Sequence, residues 1–452
     1  MARDNEHTLI RCSSEFEKLP NYLSLMNDVD ATKINQKYFR PKWRIVGSII
    51  LLVILILVFL GIITAYAQLP ASTDFLKFYS STRFLLDGQS VYTPFTLETI
   101  PDDIQIDPEL LSTPIHPNLN PPFQTLLLFP LGLVSYGTAF WIWSLLSIIL
   151  GLVSVYLIFD TYRNELHTSH VFELSIVFLL FFPTVLTIIL GQFSLILLFL
   201  ITIAWISARN GKDRISGITL GIAFSLKIFT GLFIPVFMIQ RRWKLLTWYL
   251  GTFFICNLLS VFIVGLDEHF KYLRTISSIT WYSSSWNTSL MGFLTRIFGG
   301  SESIPIINSP TLGIILTFGT SIFVVLLLLW ISKNEDKNTK YSFDLVYSLT
   351  IVCMVLISPL GWNYYYVLLI IPLVVAWNIA KQQREKLYKG LIIGAWILCS
   401  TPHLLIQGVD LQPIDMFTWA GFPFYGLLLF LGILIILFWN SRDKSSNVLE
   451  DL

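Results

Sequence analysis

The sequence predicts an all-α polytopic membrane protein with about twelve transmembrane helices, a short or re-entrant helix, and interfacial helices in the first outer loop. Hydrophobic residues make up 54% of the 452 positions and charged residues only 13%. The mean hydropathy is +0.68. Soluble domains carry roughly 25% charged residues. Because long apolar runs also recur along the whole chain after a polar N-terminal tail, the composition excludes an ordinary soluble protein.

The apolar runs define the predicted spans, since about 20 residues cross the hydrocarbon layer of a bilayer. The stretch 214–240 is predicted to be two short helices that meet near "KIFTG", and 121–135 is too short for an easy crossing, so we predict that it is re-entrant. The longer runs lie near 45–67, 137–159, 172–190, 192–208, 245–265, 310–332, 343–358, 362–380, 388–405 and 420–439.

This assignment predicts a cytosolic N-terminal tail (1–43), a transmembrane domain (44–440) and a cytosolic C-terminal tail (441–452). No cleavable signal peptide is expected, because the first apolar run starts only at Ile45. Basic residues are retained in cytoplasmic loops, and the assignment puts 24 of the 30 Lys and Arg residues inside. We therefore expect a multi-pass protein of the cell (cytoplasmic or inner) membrane, with long outer loops at 68–120 and 266–309.

The four cysteines predict neither a metal site nor a redox site. Cys12, Cys256, Cys353 and Cys399 lie far apart, without ligand-like spacing to one another or to histidine. They are better explained as buried thiols. We predict no metal, no cofactor and no nucleic-acid partner.

Asp74 is the first candidate functional residue, because it follows the first span within a turn or two in "LPASTDFLKFYSSTRFLLDGQSVY". Apolar side chains recur at helical spacing from Phe75 to Leu86, and Gly88 is a typical helix stop. The spacing predicts an interfacial helix with Thr73 or Asp74 as its N-cap. Asp74 either satisfies backbone donors as that cap or presents a carboxylate for chemistry at the outer surface.

Lys227, in "GIAFSLKIFTG", is predicted to lie at the outer tip of the short helical hairpin. An ionisable side chain at membrane depth costs about 2.5 to 3.5 kcal/mol on insertion scales, so it needs a partner or a task. Either the lysine snorkels to the interface, or it supplies a cation for an anionic group such as a lipid phosphate.

Other outer segments carry weaker signals, each with a plain structural alternative. A tight turn explains "GQFS", an aromatic belt explains "SPLGWNYY", a solvated loop explains the histidine of "HPNLNPPF", and a surface arginine explains the charge in "WNTSLMGFLTR". On the sidedness map, however, all of them share the outer face with Asp74 and Lys227, which describes a site for a charged lipid and a polar substrate. The candidate residues are His116, Gln192, Asn287, Ser289, Arg296, Trp362, Tyr364 and Tyr365.

The ordered set of motifs resembles glycosyltransferase family 87, the polyprenol-phosphate-mannose-dependent α-mannosyltransferases of the GT-C superfamily. The resemblance extends over about 74–375. Where the family often shows a histidine pair after the "SP..W" turn, this chain has Tyr364 and Tyr365. The matching stretches are Asp74 with "LLDGQSVY", then "NPPFQTLLLFP", "GQFSLILLFL", "GITLGIAFSLKIFTGLFIPVFMIQRRWK", "NTSLMGFLTR" and "SPLGWNYYYVLLIIPL".

The resemblance implies a GT-C fold, an extracytoplasmic active site and transfer of a hexose, with mannose the expected sugar. The donor would be a polyprenyl-phosphate-linked sugar and the acceptor a glycan or glycolipid, both at the lipid bilayer. Asp74 would be the catalytic aspartate, and Lys227 would be the lysine near the donor phosphate. From the residues themselves, Arg296 is a second candidate for the donor phosphate, and His116, Gln192 and the other outer-face residues are candidates for binding substrate. One carboxylate suits a single inverting displacement.

Two functions of other kinds compete with this hypothesis. A lipid or polysaccharide transporter or flippase would act without catalysis, but transporters often place charges at the midplane and contain inverted repeats. The sequence shows neither feature. A ligase that joins a whole glycan would need a larger outer cavity and more basic residues than the outer loops supply.

Overall fold

The computed structural model describes residues 42–94, 96, 99–101, 104, 106, 118–165, 170–300, 304–336, 339–383, 385–402 and 421–450. Within these ranges the regular structure is helical, with one isolated β-bridge between Asn287 and Trp362. Nearly all of the predicted N-terminal tail (1–43) lies outside the described residues.

The helices follow the apolar runs of the sequence. Short 3₁₀ segments at Pro70–Ser72, Phe129–Leu133, Ile228–Leu232 and Asn363–Leu369 extend or connect them. In chain order the α-helices are α1 (Lys42–Tyr66), α2 (Phe75–Leu86), α3 (Pro122–Leu128), α4 (Tyr136–Thr161), α5 (His170–Leu180), α6 (Phe182–Leu190), α7 (Ser194–Arg209), α8 (Asp213–Leu226), α9 (Phe233–Ile239), α10 (Trp243–Val264), α11 (Leu266–Ser277), α12 (Leu290–Phe298), α13 (Pro310–Lys333), α14 (Ser342–Ile357), α15 (Ile370–Gln382), α16 (Lys386–Cys399) and α17 (Phe422–Glu450).

In the described part of the chain, six helices are long and apolar enough to cross a membrane. A seventh candidate is the pair α5 and α6, which is bent by 60°. Pro183 in the first turn of α6 explains the bend, because proline lacks a backbone N–H and clashes with the preceding turn of a continuous helix. The six spans are Trp43–Tyr66, Tyr136–Thr161, Trp243–Val264, Pro310–Lys333, Asn363–Gln382 and Phe422–Ser441.

Shorter apolar helices account for the segments that the sequence marked as too short to span. Pro122–Leu133 is one of them, which agrees with a short helix at 121–135. The 214–240 stretch forms α8, the 3₁₀ turn Ile228–Leu232 and α9, as predicted. Ser194–Arg209 and Ser342–Ile357 are also shorter than a full span. The total of twelve crossings therefore stays a prediction.

Small residues bring α8 very close to α10. A Cβ atom on Gly217 would lie 2.5 Å from the carbonyl oxygen of Leu245, and one on Gly221 would lie 2.6 Å from Cβ of Thr252. Glycines one turn apart allow helix backbones to approach closely in apolar surroundings. This packing fixes α8, and therefore fixes the point at which Lys227 leaves it.

The centre of the bundle is the 3₁₀ segment Asn363–Leu369 together with α15. In the span Asn363–Gln382, 89% of the most apolar window is buried, compared with 6% in α1. Tyr364 and Tyr365 are therefore core residues, 5% and 4% exposed. An aromatic belt at the membrane surface does not describe them.

Helix α2 is more enclosed than the interfacial helix that the sequence predicted. Eight of its 12 residues are buried. It packs against α3, α4 and the 3₁₀ turn Phe129–Leu133, and Tyr79 donates to the carbonyl of Val134 at 2.8 Å. The polar residues that alternate with its apolar ones contact the protein, which the sequence pattern alone does not reveal.

Candidate functional site

Asp74 follows the 3₁₀ turn Pro70–Ser72 and stands immediately before α2. Its Oδ1 accepts a hydrogen bond from Lys77 Nζ at 2.8 Å, and its Oδ2 accepts one from Gln192 Nε2 at 2.7 Å. The Asp74 side chain is 27% exposed. The carboxylate is therefore held on both oxygens and still reachable from outside.

The structure separates the two interpretations of Asp74. Its side chain makes no capping hydrogen bond at the start of α2. Thr73 does this instead, because its Oγ1 accepts from the backbone N–H of Leu76 at 3.3 Å. Thr73 Oγ1 also shares a hydrogen bond with the Tyr136 hydroxyl at 2.7 Å. The Asp74 carboxylate is consequently not used to cap the backbone N–H groups of α2.

The "GQFS" turn between α6 and α7 brings Gln192 to Asp74. Gly191 has φ +65°, and a Cβ atom there would lie 2.6 Å from Cβ of Phe75. Glycine is therefore needed both for the left-handed backbone and for the close approach. Trp143 fixes the same turn by donating from Nε1 to the Gly191 carbonyl at 2.8 Å. The tight turn proposed as the structural alternative for "GQFS" is therefore present, and it also positions the Gln192 side chain.

Two hydrogen-bond donors and a more distant cation keep Asp74 ionised. Burial alone would raise the pKa of its carboxyl, but the adjacent Lys77 ammonium, the Gln192 amide and the more distant Lys227 together hold that pKa below its ordinary value of 3.8. The opposing effects are those of desolvation against nearby charge and hydrogen bonding. At neutral pH the site therefore contains a carboxylate that can accept a proton.

Lys227 lies where α8 ends and the 3₁₀ turn begins. Its Nζ donates to Oδ1 of Asn120 and stands 5.4 Å from the centroid of the Tyr365 ring. Burial lowers the pKa of the ammonium to about 8, and the Asp74 carboxylate partly offsets this effect. The lysine therefore points into the protein at Asn120, within electrostatic range of Asp74, and does not snorkel to a membrane surface.

Two tyrosines of the central 3₁₀ segment complete this group. Their rings pack edge to face with centroids 4.7 Å apart, and Phe229 packs against Tyr365 at the same distance. Both lie within electrostatic range of Asp74. The structure thus brings together Asp74, Gln192, Lys227, Tyr364 and Tyr365 from four separate segments.

Asn287 and Ser289 belong to a second group, which fastens the loop before α12 to the 358–363 turn. Asn287 Nδ2 donates to the carbonyls of Tyr282 and Pro359, both at 2.9 Å. Its Oδ1 accepts from the Ser289 hydroxyl at 2.8 Å and from Gly361 N at 3.1 Å. Asn287 is fully buried. Its side chain is occupied by the protein.

Trp362 and Ser289 have recognisable local roles in that second group. Trp362 forms the β-bridge with Asn287 and is half-buried. Ser289 is the N-cap of α12, since its hydroxyl accepts from Gly292 N at 3.2 Å.

Arg296, on α12, is 3% exposed and lies beside the same loop. Its Nη1 donates to the carbonyls of Ser284 and Asn287 at 2.9 and 2.8 Å. Nε and Nη2 are enclosed and have no partner among the described residues. Burial lowers the pKa of the guanidinium to about 10. The structure does not connect Arg296 with Lys227, and a surface arginine does not describe it either.

Sequence reasoning missed two residues of the site and left one outside the described region. His116 lies outside the described residues. The contact of Lys77 with Asp74 could have been predicted from their spacing, because side chains three residues apart on a helix are neighbours. Asn120 carried no helical signal, and only its position before "PPF" marked it. Without the fold, its contact with Lys227 could not be predicted.

The buried-thiol prediction is confirmed for Cys256, Cys353 and Cys399, which are free and buried, and Cys12 lies outside the described residues. No three His, Cys, Asp or Glu side chains are grouped to hold a metal in the described ranges. The absence of a metal requirement stays a prediction.

A comparison with protein families identifies the chain. The family model described as glycosyltransferase family 87 matches residues 118–359, more than half of the sequence. The chain belongs to glycosyltransferase family 87. Glycosyltransferase family 87 membership makes the protein a membrane glycosyltransferase, which requires a sugar donor, an acceptor and a lipid bilayer. It confirms the resemblance, is consistent with the GT-C superfamily, and decides against a transporter without catalysis.

The family 87 match covers only part of the site. It includes Asn120, Gln192, Lys227 and Asn287, whereas Asp74 lies before it and the two tyrosines lie after it. No curated protein matches the sequence.

Proposed function

We propose that the protein transfers a hexose, with mannose the first candidate, from a polyprenyl-phosphate donor to a glycan or glycolipid acceptor. The reaction takes place at the extracytoplasmic face of the cell membrane as a single displacement with inversion. The observation that carries the proposal is one accessible carboxylate, Asp74, held by Lys77 and Gln192, with a second cation, Lys227, close enough to act on it electrostatically, inside a family 87 glycosyltransferase.

Asp74 is the proposed general base. The acceptor hydroxyl oxygen attacks the anomeric carbon and gives its proton to Asp74, while the bond from that carbon to the phosphate oxygen breaks and the phosphate leaves with the electron pair. A positioned base contributes about 10² to 10⁴ in rate. Each Asp74 oxygen accepts one hydrogen bond within the protein, so a lone pair on each remains for the acceptor proton.

Lys227 is the proposed binding group for the leaving phosphate. Its direct hydrogen-bond partner, Asn120, is neutral, whereas the Asp74 carboxylate is directly paired with Lys77. The charge of Lys227 is therefore not cancelled by contact. A fixed cation at the oxygen where negative charge develops stabilises the transition state.

A single displacement agrees with the carboxylates of the site. A double displacement needs a second carboxyl group about 5 Å from the first as nucleophile. Among the described residues, Asp74 is the one carboxylate that acts on Lys227. Glu268, the acidic residue that holds the first outer loop, is itself bound by Ser90, Val91 N–H and Lys271.

The remaining predicted residues have weaker support. Gln192 orients Asp74, and Tyr364 and Tyr365 offer ring faces and hydroxyls beside it, where a sugar would lie. The second group, beside the 358–363 turn, comprises Trp362, Asn287, Ser289 and Arg296. We propose that these residues shape the site and do not contact the substrate directly. His116 stays a predicted substrate-binding residue.

The donor is tested with purified protein in lipid nanodiscs. Polyprenyl-phosphate mannose, polyprenyl-phosphate glucose and nucleotide-linked mannose are supplied separately with a mixture of glycolipid acceptors. We expect transfer from a polyprenyl-phosphate sugar and none from the nucleotide sugar. NMR of the product should give the anomeric configuration opposite to that of the donor. Transfer from the nucleotide sugar alone, or retention of configuration, would contradict the proposal.

The side of the membrane is tested by labelling. A cysteine is placed at Gln89, which is exposed just beyond α2, in a chain whose native cysteines are replaced by serine. A membrane-impermeant maleimide should label intact cells. A matched variant with cysteine at Lys212, in the exposed turn between α7 and α8, should be labelled only after the membrane is opened. The reverse pattern would refute the extracytoplasmic assignment.

A further inference from the structure

We propose that Asn120 is a positioning residue that holds the Lys227 ammonium against the donor phosphate without neutralising it, and that Asn118 fixes the orientation of the Asn120 amide. This inference rests on the proposed function, because it assigns a donor phosphate to Lys227. Neither asparagine was singled out by the sequence.

The hydrogen bonds around Asn120 permit one orientation of its amide. Its Nδ2 donates to Oδ1 of Asn118 at 2.8 Å, and its backbone N–H donates to the same oxygen at 3.1 Å. Because an ammonium can only donate, the acceptor facing Lys227 must be Oδ1 of Asn120. A flipped Asn120 amide would face Asn118 with an acceptor and Lys227 with a donor, so neither bond would form.

Asn118 connects this pair to the helix that follows Asp74. Its Nδ2 donates to the Ser81 hydroxyl on α2 at 3.0 Å. That hydroxyl lies 2.8 Å from the carbonyl oxygens of Lys77 and Val91. Asn118 and Asn120 are 1% and 3% exposed. A continuous set of hydrogen bonds therefore links the helix that carries Lys77 to the tip that carries Lys227.

The backbone of Asn120 is fixed as well. Its carbonyl accepts from the Tyr92 hydroxyl at 2.6 Å. Pro121 and Pro122 follow directly and begin α3, where proline suits the first helical turn. A residue before proline is held away from the helical region. The Asn120 side chain therefore projects from a short rigid segment, as a positioning group requires.

The chemistry of the partner is the decisive point. If a partly buried lysine contacts a carboxylate, the net charge of the pair is zero, and the attraction of the lysine for a phosphate is largely cancelled. An amide oxygen satisfies one N–H of Lys227 and leaves its full positive charge. The titratable groups that face Lys227 from the described elements are Asp74 on the α2 side and Tyr365 on the 3₁₀ segment, and Asp74 is paired with Lys77.

Two substitutions at Asn120 are expected to shift the pH profile in opposite directions. Asn120→Asp places a carboxylate on Lys227, which raises the lysine pKa, so the alkaline fall in activity moves to higher pH. Asn120→Ala removes the acceptor that favours the charged form, so the same fall moves to lower pH. Aspartate would compete with the phosphate for the ammonium, and alanine would release the ammonium from its position. Either variant should therefore weaken the charge-assisted hydrogen bond to the donor and raise the donor KM about ten- to hundredfold.

A purely structural role for Asn120 would not produce opposite shifts. Asn257→Ala is the matched control, because Asn257 is also a partly buried amide near the end of α8 but donates to Phe253 O on α10 and to Ser225 Oγ rather than accepting from Lys227. Its pH profile should equal that of the wild type. Equal or absent shifts in the two Asn120 variants, with the wild type active, would overturn the inference.

A binding measurement covers the case in which a variant is too unstable for kinetics. Polyprenyl phosphate without a sugar should raise the thermal unfolding temperature of the wild type and of Asn257→Ala, and raise that of Asn120→Asp much less. Equal stabilisation of all three would also overturn the inference. If the wild type transfers nothing from polyprenyl-phosphate sugars, the proposed function itself has failed, which is a distinct result.

Discussion

Replacing Lys227 by glutamine isolates the charge that the proposed mechanism requires. Glutamine keeps an uncharged N–H donor on a slightly shorter side chain, so it can still face Oδ1 of Asn120 at the tip between α8 and the 3₁₀ turn. What disappears is the positive charge and its contact with the Tyr365 ring at 5.4 Å. The variant is therefore expected to fold while binding the donor phosphate poorly.

The size of the effect follows from the contacts of the lysine. A hydrogen bond between charged groups contributes about 1.5 to 3 kcal/mol, and about 1.4 kcal/mol corresponds to a factor of ten. No direct salt bridge of Lys227 is lost, because Asp74 is bonded to Lys77 and Gln192. We expect donor affinity to fall about ten- to hundredfold, with a further loss in kcat because the charge on the phosphate increases as it leaves.

The assay measures donor binding and turnover separately. Binding of polyprenyl-phosphate mannose is followed by competition with a labelled polyprenyl phosphate in nanodiscs, and turnover is followed by radiolabelled sugar transfer. Lys212→Gln is the matched control, because Lys212 is exposed in the turn before α8. A Lys227→Gln protein that binds donor as tightly as the Lys212→Gln protein would refute the assignment of the phosphate to Lys227.

Three further predictions concern the support and titration of the site. Gly191→Ala should destabilise the protein by about 1 to 3 kcal/mol, because residue 191 has a left-handed backbone and lies close to Phe75. The variant should also transfer less sugar, because Gln192 is displaced, and an unchanged thermal unfolding temperature would contradict this prediction. Transfer activity should persist as pH falls from 7 to 5, because the pKa of Asp74 lies below 3.8 and a general base works above its pKa. The same activity should decline as pH rises through about 8, where Lys227 loses its proton. A fall in activity on the acid side near pH 6 would count against Asp74. Arg296→Met should lower the stability of the fold by about 1 to 3 kcal/mol, because two loop carbonyls lose their donor, and the donor KM should change little. A large rise in the donor KM at normal stability would instead support Arg296 as a phosphate ligand.

The helices of the site could be predicted because their signals are local. The apolar spacing from Phe75 to Leu86 and the stop near Gly88 gave α2 its bounds. The break at "KIFTG" gave the tip that carries Lys227. The predicted sidedness places Asp74 and Lys227 on the same face, because basic residues indicate loop orientation along the whole chain.

The parts that were not predictable depend on contacts between distant segments. Whether Asp74 or Thr73 caps α2 depends on where each oxygen points, and both residue types cap helices well. Arg296 looked like an outer-surface cation, yet it holds carbonyls of Ser284 and Asn287 inside the protein. Asn120 has no charge and no helical periodicity, so its role follows only from the fold that places it at Lys227.

The most direct test of the account is the transfer rate of Asp74→Asn from its polyprenyl-phosphate donor. Asparagine keeps the size of the side chain but cannot accept the acceptor proton, so kcat should fall about 10² to 10⁴-fold while donor affinity stays near that of the wild type. Asp87→Asn, at the exposed far end of the same helix, should retain full activity. An Asp74→Asn protein that transfers sugar at the rate of Asp87→Asn would contradict the central claim that Asp74 is the base.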